Sequence, residues 1–207
     1  MRKTPVLAAL PLLASLSLLA GCVAPTGPVE VTRFHVPEVA LLGHGPVAVV
    51  AAPGADPGSL ELRAFTAAVA RELQRAGYQE VGTEAATQLA EVKLERRTVQ
   101  PERNRNPVSV GVGGSTGSYG SGLGVGLGFD LSGPPPAMTE TQLAVVIREK
   151  GNGVTSGKVL WEGRASFAVK ASSPLATTDL GAAQMATALF RDFPGHSGET
   201  VLVKPAP

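Results

Sequence analysis

Apolar residues recur along the chain at two periods, and the changes between them divide it into strands and helices. In VEVTRFHV, apolar Val29, Val31 and Val36 alternate imperfectly with polar Glu30, Thr32 and His35, which predicts a half-buried strand. The continuous run PVAVVAA at 46–52 predicts a strand covered on both faces. Asp56 and Pro57 then supply a capping oxygen and a preset φ, so a helix is expected to open there. Leu62, Phe65, Val69, Leu73 and Ala76 follow at spacings of three and four, the inward stripe of a helix that Gly77 ends. YQEV and AEVKLERRTV predict further strands, the second with Val92, Leu94 and Arg96 on one face. TETQLAVVIRE, the KGNGVTSG turn and KVLWEGRASFAVK predict a long antiparallel hairpin. A second helix is expected from about Thr178 to Phe193, with Leu180, Ala183, Ala186, Phe190 and Phe193 inward, and ETVLVK reads as a last strand. This order predicts an α+β fold: a mostly antiparallel sheet with two helices on one face, plus a glycine-rich β-hairpin or loop.

That glycine-rich insert, 108–131, breaks the pattern. Read as two strands, it puts Val108, Val110 and Val112 with Leu123, Val125, Leu127, Phe129 and Leu131 on one face. The other face carries Ser109, Gly111 and Gly113, then Gly122, Gly124, Gly126, Gly128 and Asp130. Setting Val112 beside Leu123, Val110 beside Val125 and Gly111 beside Gly124 keeps both arms in phase, with a tip near GSTGSYGS. Six strand glycines at about 0.5–1 kcal/mol each cost roughly 3–6 kcal/mol, too much to be incidental in a domain stable by about 5–15 kcal/mol. Three accounts remain open: a layer packed closely on the bare face, an apolar face set against lipid or a partner, or a glycine loop without a fixed partner.

The first 22 residues change the setting. Arg2 and Lys3 precede an apolar run from Val6 to Ala20, which is the pattern of a secretory signal. Leu19, Ala20 and Gly21 before Cys22 resemble the bacterial lipoprotein signal, so residues 1–21 are expected to be removed and Cys22 to carry acyl chains such as palmitate. Two or three chains, at about 0.8 kcal/mol per buried methylene, give stable anchoring in a bilayer. In lipoproteins with such a signal, a residue other than aspartate after the cysteine goes with the outer membrane, so Val23 implies that membrane by this resemblance; the periplasmic side is the expectation, with surface display left open. Residues 22–28 read as a lipidated tether and 29–205 as one domain. Cys22 is the only cysteine, so a mature chain has no internal disulfide. The 18 basic residues, less Arg2 and Lys3, stand against 17 acidic ones, leaving no basic footprint for nucleic acid.

Candidate chemistry is thin. His35, His44 and His196 have no metal-ligand spacing. GHSGE at 195–199 superficially resembles a glycine-flanked nucleophile but follows a helix, not a strand, and reads as a helix-ending turn. GVGGSTG has no following lysine or helix to make a phosphate cradle. Glu140, Glu149 and Glu162 show no spacing that pairs two of them, and Trp161 is expected in the core or an interface. No catalytic residue, cofactor or metal is expected.

LWEGRAS at 160–166, a second helix ending ALFRDFPGHSGET at 188–200, and the upstream lipobox together resemble a family of Gram-negative lipoproteins known as domain of unknown function 4136. The resemblance covers most of residues 30–204, and the glycine insert departs from it. It implies a periplasm-facing α+β lipoprotein domain and supplies no activity. The expectation is therefore a non-enzymatic outer-membrane lipoprotein, an envelope accessory or interaction module whose partner is another envelope protein or a second copy. The alternative is an oligomeric protein that inserts its glycine-rich hairpin into the membrane.

Overall fold

The computed structural model describes residues 27–100, 108–117, 120–129, 135–152 and 157–204. Strands β1 (Val29–His35) and β2 (Pro46–Ala51) precede helix α1 (Leu60–Arg75), and β3 (Gln79–Glu80) and β4 (Gln88–Val99) follow it. Next come β5 (Val108–Gly117), β6 (Gly120–Phe129), β7 (Met138–Glu149), β8 (Val159–Lys170), helix α2 (Thr178–Phe190) and β9 (Thr200–Val203). Seven strands form one sheet in the order β3-β2-β4-β7-β8-β1-β9. Among the described strands only the β2–β3 and β2–β4 pairs are parallel. The fold is α+β and the sheet mostly antiparallel, as the periodicity predicts.

Period-two patterning decides which face the helices cover. Ala90 and Val92 of β4, Leu143, Val145 and Ile147 of β7, and Trp161, Ala165, Phe167 and Val169 of β8 are buried on one side of the sheet. The inward stripe of α1, Leu62, Phe65, Ala68, Val69 and Leu73, packs there. Each such fully buried large side chain contributes about 1.5–3 kcal/mol. At the end of α1, Gly77 adopts φ +107°, and a Cβ on it would lie 2.3 Å from the Gly43 carbonyl, so this turn requires glycine.

Three expectations about the helices need correction. α1 opens at Leu60, capped by the Ser59 hydroxyl, which accepts from the Leu62 amide at 3.3 Å. The Asp56 carboxylate instead accepts from the Gly58 amide at 2.8 Å, so its turn ends before the helix starts. α2 ends at Phe190, and its buried face is Gly181, Ala182, Met185, Ala186, Ala188, Leu189 and Phe190. Leu180 is 51% exposed, and Ala183 is exposed too. This helix is apolar nearly all round, so its side chains alone do not mark the inner stripe.

Two arginines lie inside where alternation, not polarity, governs. Arg33 of β1 is only 6% exposed while its neighbour Phe34 is 51% exposed, an inversion of the usual order. Arg96 of β4 shares the helix-facing side with Ala90, Val92 and Leu94. Its guanidinium binds the Glu61 carboxylate of α1, the Ala176 carbonyl, and the Thr178 hydroxyl of α2 at 3.1 Å. One side chain thus ties the N-terminal ends of both helices to the sheet.

β5 and β6 form a separate two-stranded sheet. The hairpin exists with the expected parity, but its register differs by two residues: Val112 faces Val125, Val110 faces Leu127 and Val108 faces Phe129, while Leu123 faces Gly114. Gly111 accordingly faces Gly126 and Gly113 faces Gly124. The shift brings Phe129 into the ladder. In the expected register its partner is Asn106, in the segment that Pro107 closes. A two-residue shift leaves every position on its original face.

Candidate functional site

Cys22 and the signal segment lie outside the described residues, as do Asp130 and Leu131. The remaining expected interaction positions, Val108, Val110, Val112, Leu123, Val125, Leu127 and Phe129, fall on one face of the β5–β6 hairpin. The opposite face pairs Ser109 with Gly128, Gly111 with Gly126, Gly113 with Gly124, Ser115 with Gly122 and Gly117 with Gly120. No charged residue occurs between 108 and 129.

The second candidate surface is the helix-free face of the seven-stranded sheet, which sequence reading does not single out. A shallow cleft of about 630 Å³ runs over Glu30, Glu95, Arg97, Glu140 and Gln142. A neighbouring one of about 290 Å³ adds Glu91, Lys93, Glu162 and Arg164 and shares Glu95 and Gln142 with the first. Arg97 donates to Glu140 at 2.7 Å, and Arg148 pairs with Glu91 at 2.9 Å. Lys93 meets Glu95 at 2.8 Å and Arg164 meets Glu162 at 2.9 Å. The hydrogen bond and charge of Lys93 hold the Glu95 carboxyl below the usual carboxylate range. A carboxylate so held accepts hydrogen bonds and does not store a proton near neutral pH. The three more exposed pairs, Lys93–Glu95, Arg97–Glu140 and Arg164–Glu162, are worth about 0–1 kcal/mol each and shape the surface more than they stabilise the fold, whereas Arg148–Glu91 is mostly buried.

The motif-like FPGHSGE segment is a clamp between α2 and the sheet. Arg33 Nε donates to the Leu189 carbonyl at 2.9 Å and Nη2 donates to the Ala188 carbonyl at 3.0 Å, placing a cation on the last turn of α2. Burial lowers the Arg33 pKa, and the nearby carboxylates of Asp192 and Glu199 oppose that. Trp161 Nε1 donates to the Pro194 carbonyl at 3.0 Å, and its ring lies 5.3 Å from those of both Phe190 and Phe193. Gly163 makes room for that indole: a Cβ there would come within 2.2 Å of it. LWEGRAS and FPGHSGE, far apart in sequence, are therefore two halves of one packing unit.

His35 and Ser197 belong to the same unit, and the His196 carbonyl accepts from the Glu199 amide at 3.3 Å within its turn. His35 Nδ1 lies 2.7 Å from the Val36 carbonyl and Nε2 3.2 Å from that of Gly195. Ser197 Oγ accepts from the His35 amide at 3.1 Å and donates to the His35 carbonyl at 3.3 Å, so its partners are backbone groups and not an imidazole. His44 Nδ1 sits 3.0 Å from the Leu42 carbonyl. Among the described residues, no three His, Cys, Asp or Glu side chains group as metal ligands. No described helix is long and apolar enough to cross a membrane, which says nothing of strands.

The chain is 32% identical to Uncharacterized protein ZMO1243 of Zymomonas mobilis, over 86% of its own length and 81% of that protein's. It belongs to the family of this Zymomonas protein. No established family profile matches it. Among solved structures it is similar to a PDZ domain protein from Parabacteroides distasonis, at 13% identity and a TM-score of 0.47. That match covers 86% of this chain but only 39% of the other. It is also similar to the PelC dodecamer from Paraburkholderia phytofirmans, at 13% identity and a TM-score of 0.39 over 77% of this chain and 95% of that one. At those scores neither supplies a function.

Proposed function

We propose that this protein is an outer-membrane lipoprotein, held on the periplasmic side by an acylated Cys22, that serves without catalysis as an interaction module of the cell envelope. The resemblance to the lipoproteins known as domain of unknown function 4136 belongs to the same proposal. The observation that carries it is the contrast between the polar groups and the hairpin. Side chains that invite a catalytic reading, His35, Ser197, Glu140 and Glu162, are engaged in holding turns or pairing with cations. The uncharged β5–β6 hairpin, by contrast, forms a sheet of its own. Its ladder edges and apolar face are the surface on which the interaction reading rests.

Palmitate labelling and membrane fractionation of the native chain and Cys22→Ser test the anchor. The native chain should take label and sediment with the outer membrane, and the variant should be unlabelled and leave that fraction. A label-free native chain contradicts the anchor. Hydrolysis of an envelope polymer, lost on replacing a single carboxylate or serine, overturns the non-catalytic reading.

A further inference from the structure

The β5–β6 ladder runs through ten consecutive pairs, from Val108–Phe129 to Gly117–Gly120, without a bulge. Among the described residues each strand pairs on one side only, so each carries one edge with no partner strand there. Natural sheets guard such edges with lysine, proline, bulges or a short strand, because a flat open edge recruits another strand. This hairpin has none of those guards between 108 and 129.

We propose that the hairpins of several copies pair edge to edge into one closed, membrane-inserted β-sheet. The face bearing Val108, Val110, Val112, Val125, Leu127 and Phe129 meets the acyl chains, and the glycine and serine face lines the interior. This rests on the reading that Cys22 holds the chain at a bilayer. Ten residues per strand, at about 3.3 Å each, reach about 33 Å, or about 25 Å at a tilt of about 40°; the apolar positions span the seven residues from the Val108–Phe129 to the Gly114–Leu123 pair, and Thr116 and Ser121 continue the same face towards a polar tip. A single hairpin cannot enter lipid, since its edge amides and carbonyls go unsatisfied there. Copies of the same hairpin supply the missing partners, and eight strands, the smallest such barrel, need about four chains.

Stacking of two hairpins face to face in water accounts for less of the sequence. It buries the valines but leaves a bare glycine face in solvent, where threonine or lysine avoids the cost of about 0.5–1 kcal/mol that each strand glycine carries. Inside a narrow closed sheet the missing side chains ease tight curvature and leave room across the interior.

The test uses the full lipidated chain in vesicles of phosphatidylethanolamine and phosphatidylglycerol, with single cysteines at successive positions from 122 to 129 bearing an environment-sensitive fluorophore. Labels at Val125→Cys and Leu127→Cys should shift to the blue, and those at Gly124→Cys and Gly126→Cys should not. Light scattering in detergent should give particles of at least about four chains, and a chain with 108–129 replaced by a short Gly-Ser linker should stay monomeric. A strict monomer at all concentrations, or labels without alternation on a chain that floats with the vesicles, overturns this inference alone. Failure of the full chain to float overturns the anchor and this inference together.

Discussion

Two antiparallel hairpins stand close together in the chain, β5–β6 and β7–β8, and their backbones obey the same pairing rules. Their faces do not. In β7–β8, strands of twelve residues put Leu143, Val145, Ile147, Trp161 and Phe167 under two helices and Gln142, Glu162 and Arg164 on the open side. In β5–β6, strands of ten residues put aliphatic positions on one side and glycine or serine on the other, with no charge on either. Ladder hydrogen bonds alone do not make a two-stranded sheet stable in water; a covered face does. The β7–β8 hairpin is completed by the seven-stranded sheet and its helices, whereas the proposal above has β5–β6 completed by other copies of the chain.

That contrast ranks the effects of substitution. Trp161→Ala removes the indole from between Phe190 and Phe193 and should cost about 3–5 kcal/mol in denaturant unfolding. Arg33→Met keeps much of the volume but strands the Ala188 and Leu189 carbonyls, and about 1.5–3 kcal/mol should be lost. Gly163→Ala drives a methyl into the Trp161 ring and should cost about 1–3 kcal/mol by overpacking. A loss under about 0.5 kcal/mol in all three would mean that this clamp is not the core.

Tyr78 gives a smaller, pH-dependent signal. Burial raises its phenol above the ordinary 10.0, so the unfolded chain loses that proton first as pH climbs. Stability should therefore be level below about pH 10 and fall above it, and Tyr78→Phe, which keeps the edge contact with Phe193, should remove that fall. Alkaline titrations of thermal unfolding that coincide for the two chains would contradict this. The smallest effect expected is from replacing 108–129 by a Gly-Ser linker. Monomer stability should change by less than about 0.5 kcal/mol, because β5 and β6 share no ladder with the other seven strands.

Where polarity and period agree, the fold was legible in the sequence, as in α1 and the β7–β8 hairpin. Where they disagree, period wins: Arg33 points inward and Phe34 outward because β1 keeps its alternation through both. Counting parity past Thr32 would have found the inward arginine. The inner face of α2 is not legible in the sequence because alanines on every side leave no polar face to orient it, and its contacts are with Trp161 and Arg33, on other elements. The role of FPGHSGE was hidden for the same reason, since its partners lie on β1 and β8. The hairpin parity followed from composition, while its register depended on bringing Phe129 into the ladder.

The most direct test of the contrast between the two hairpins is amide hydrogen exchange on the full lipidated chain, followed by mass spectrometry with and without vesicles. Without vesicles, peptides from β7 and β8 should stay protected while those from β5 and β6 exchange; with vesicles, all four should be protected. If β5 and β6 are as protected as β7 and β8 in the free monomer, their faces are already covered within the chain, and the hairpin is part of the core.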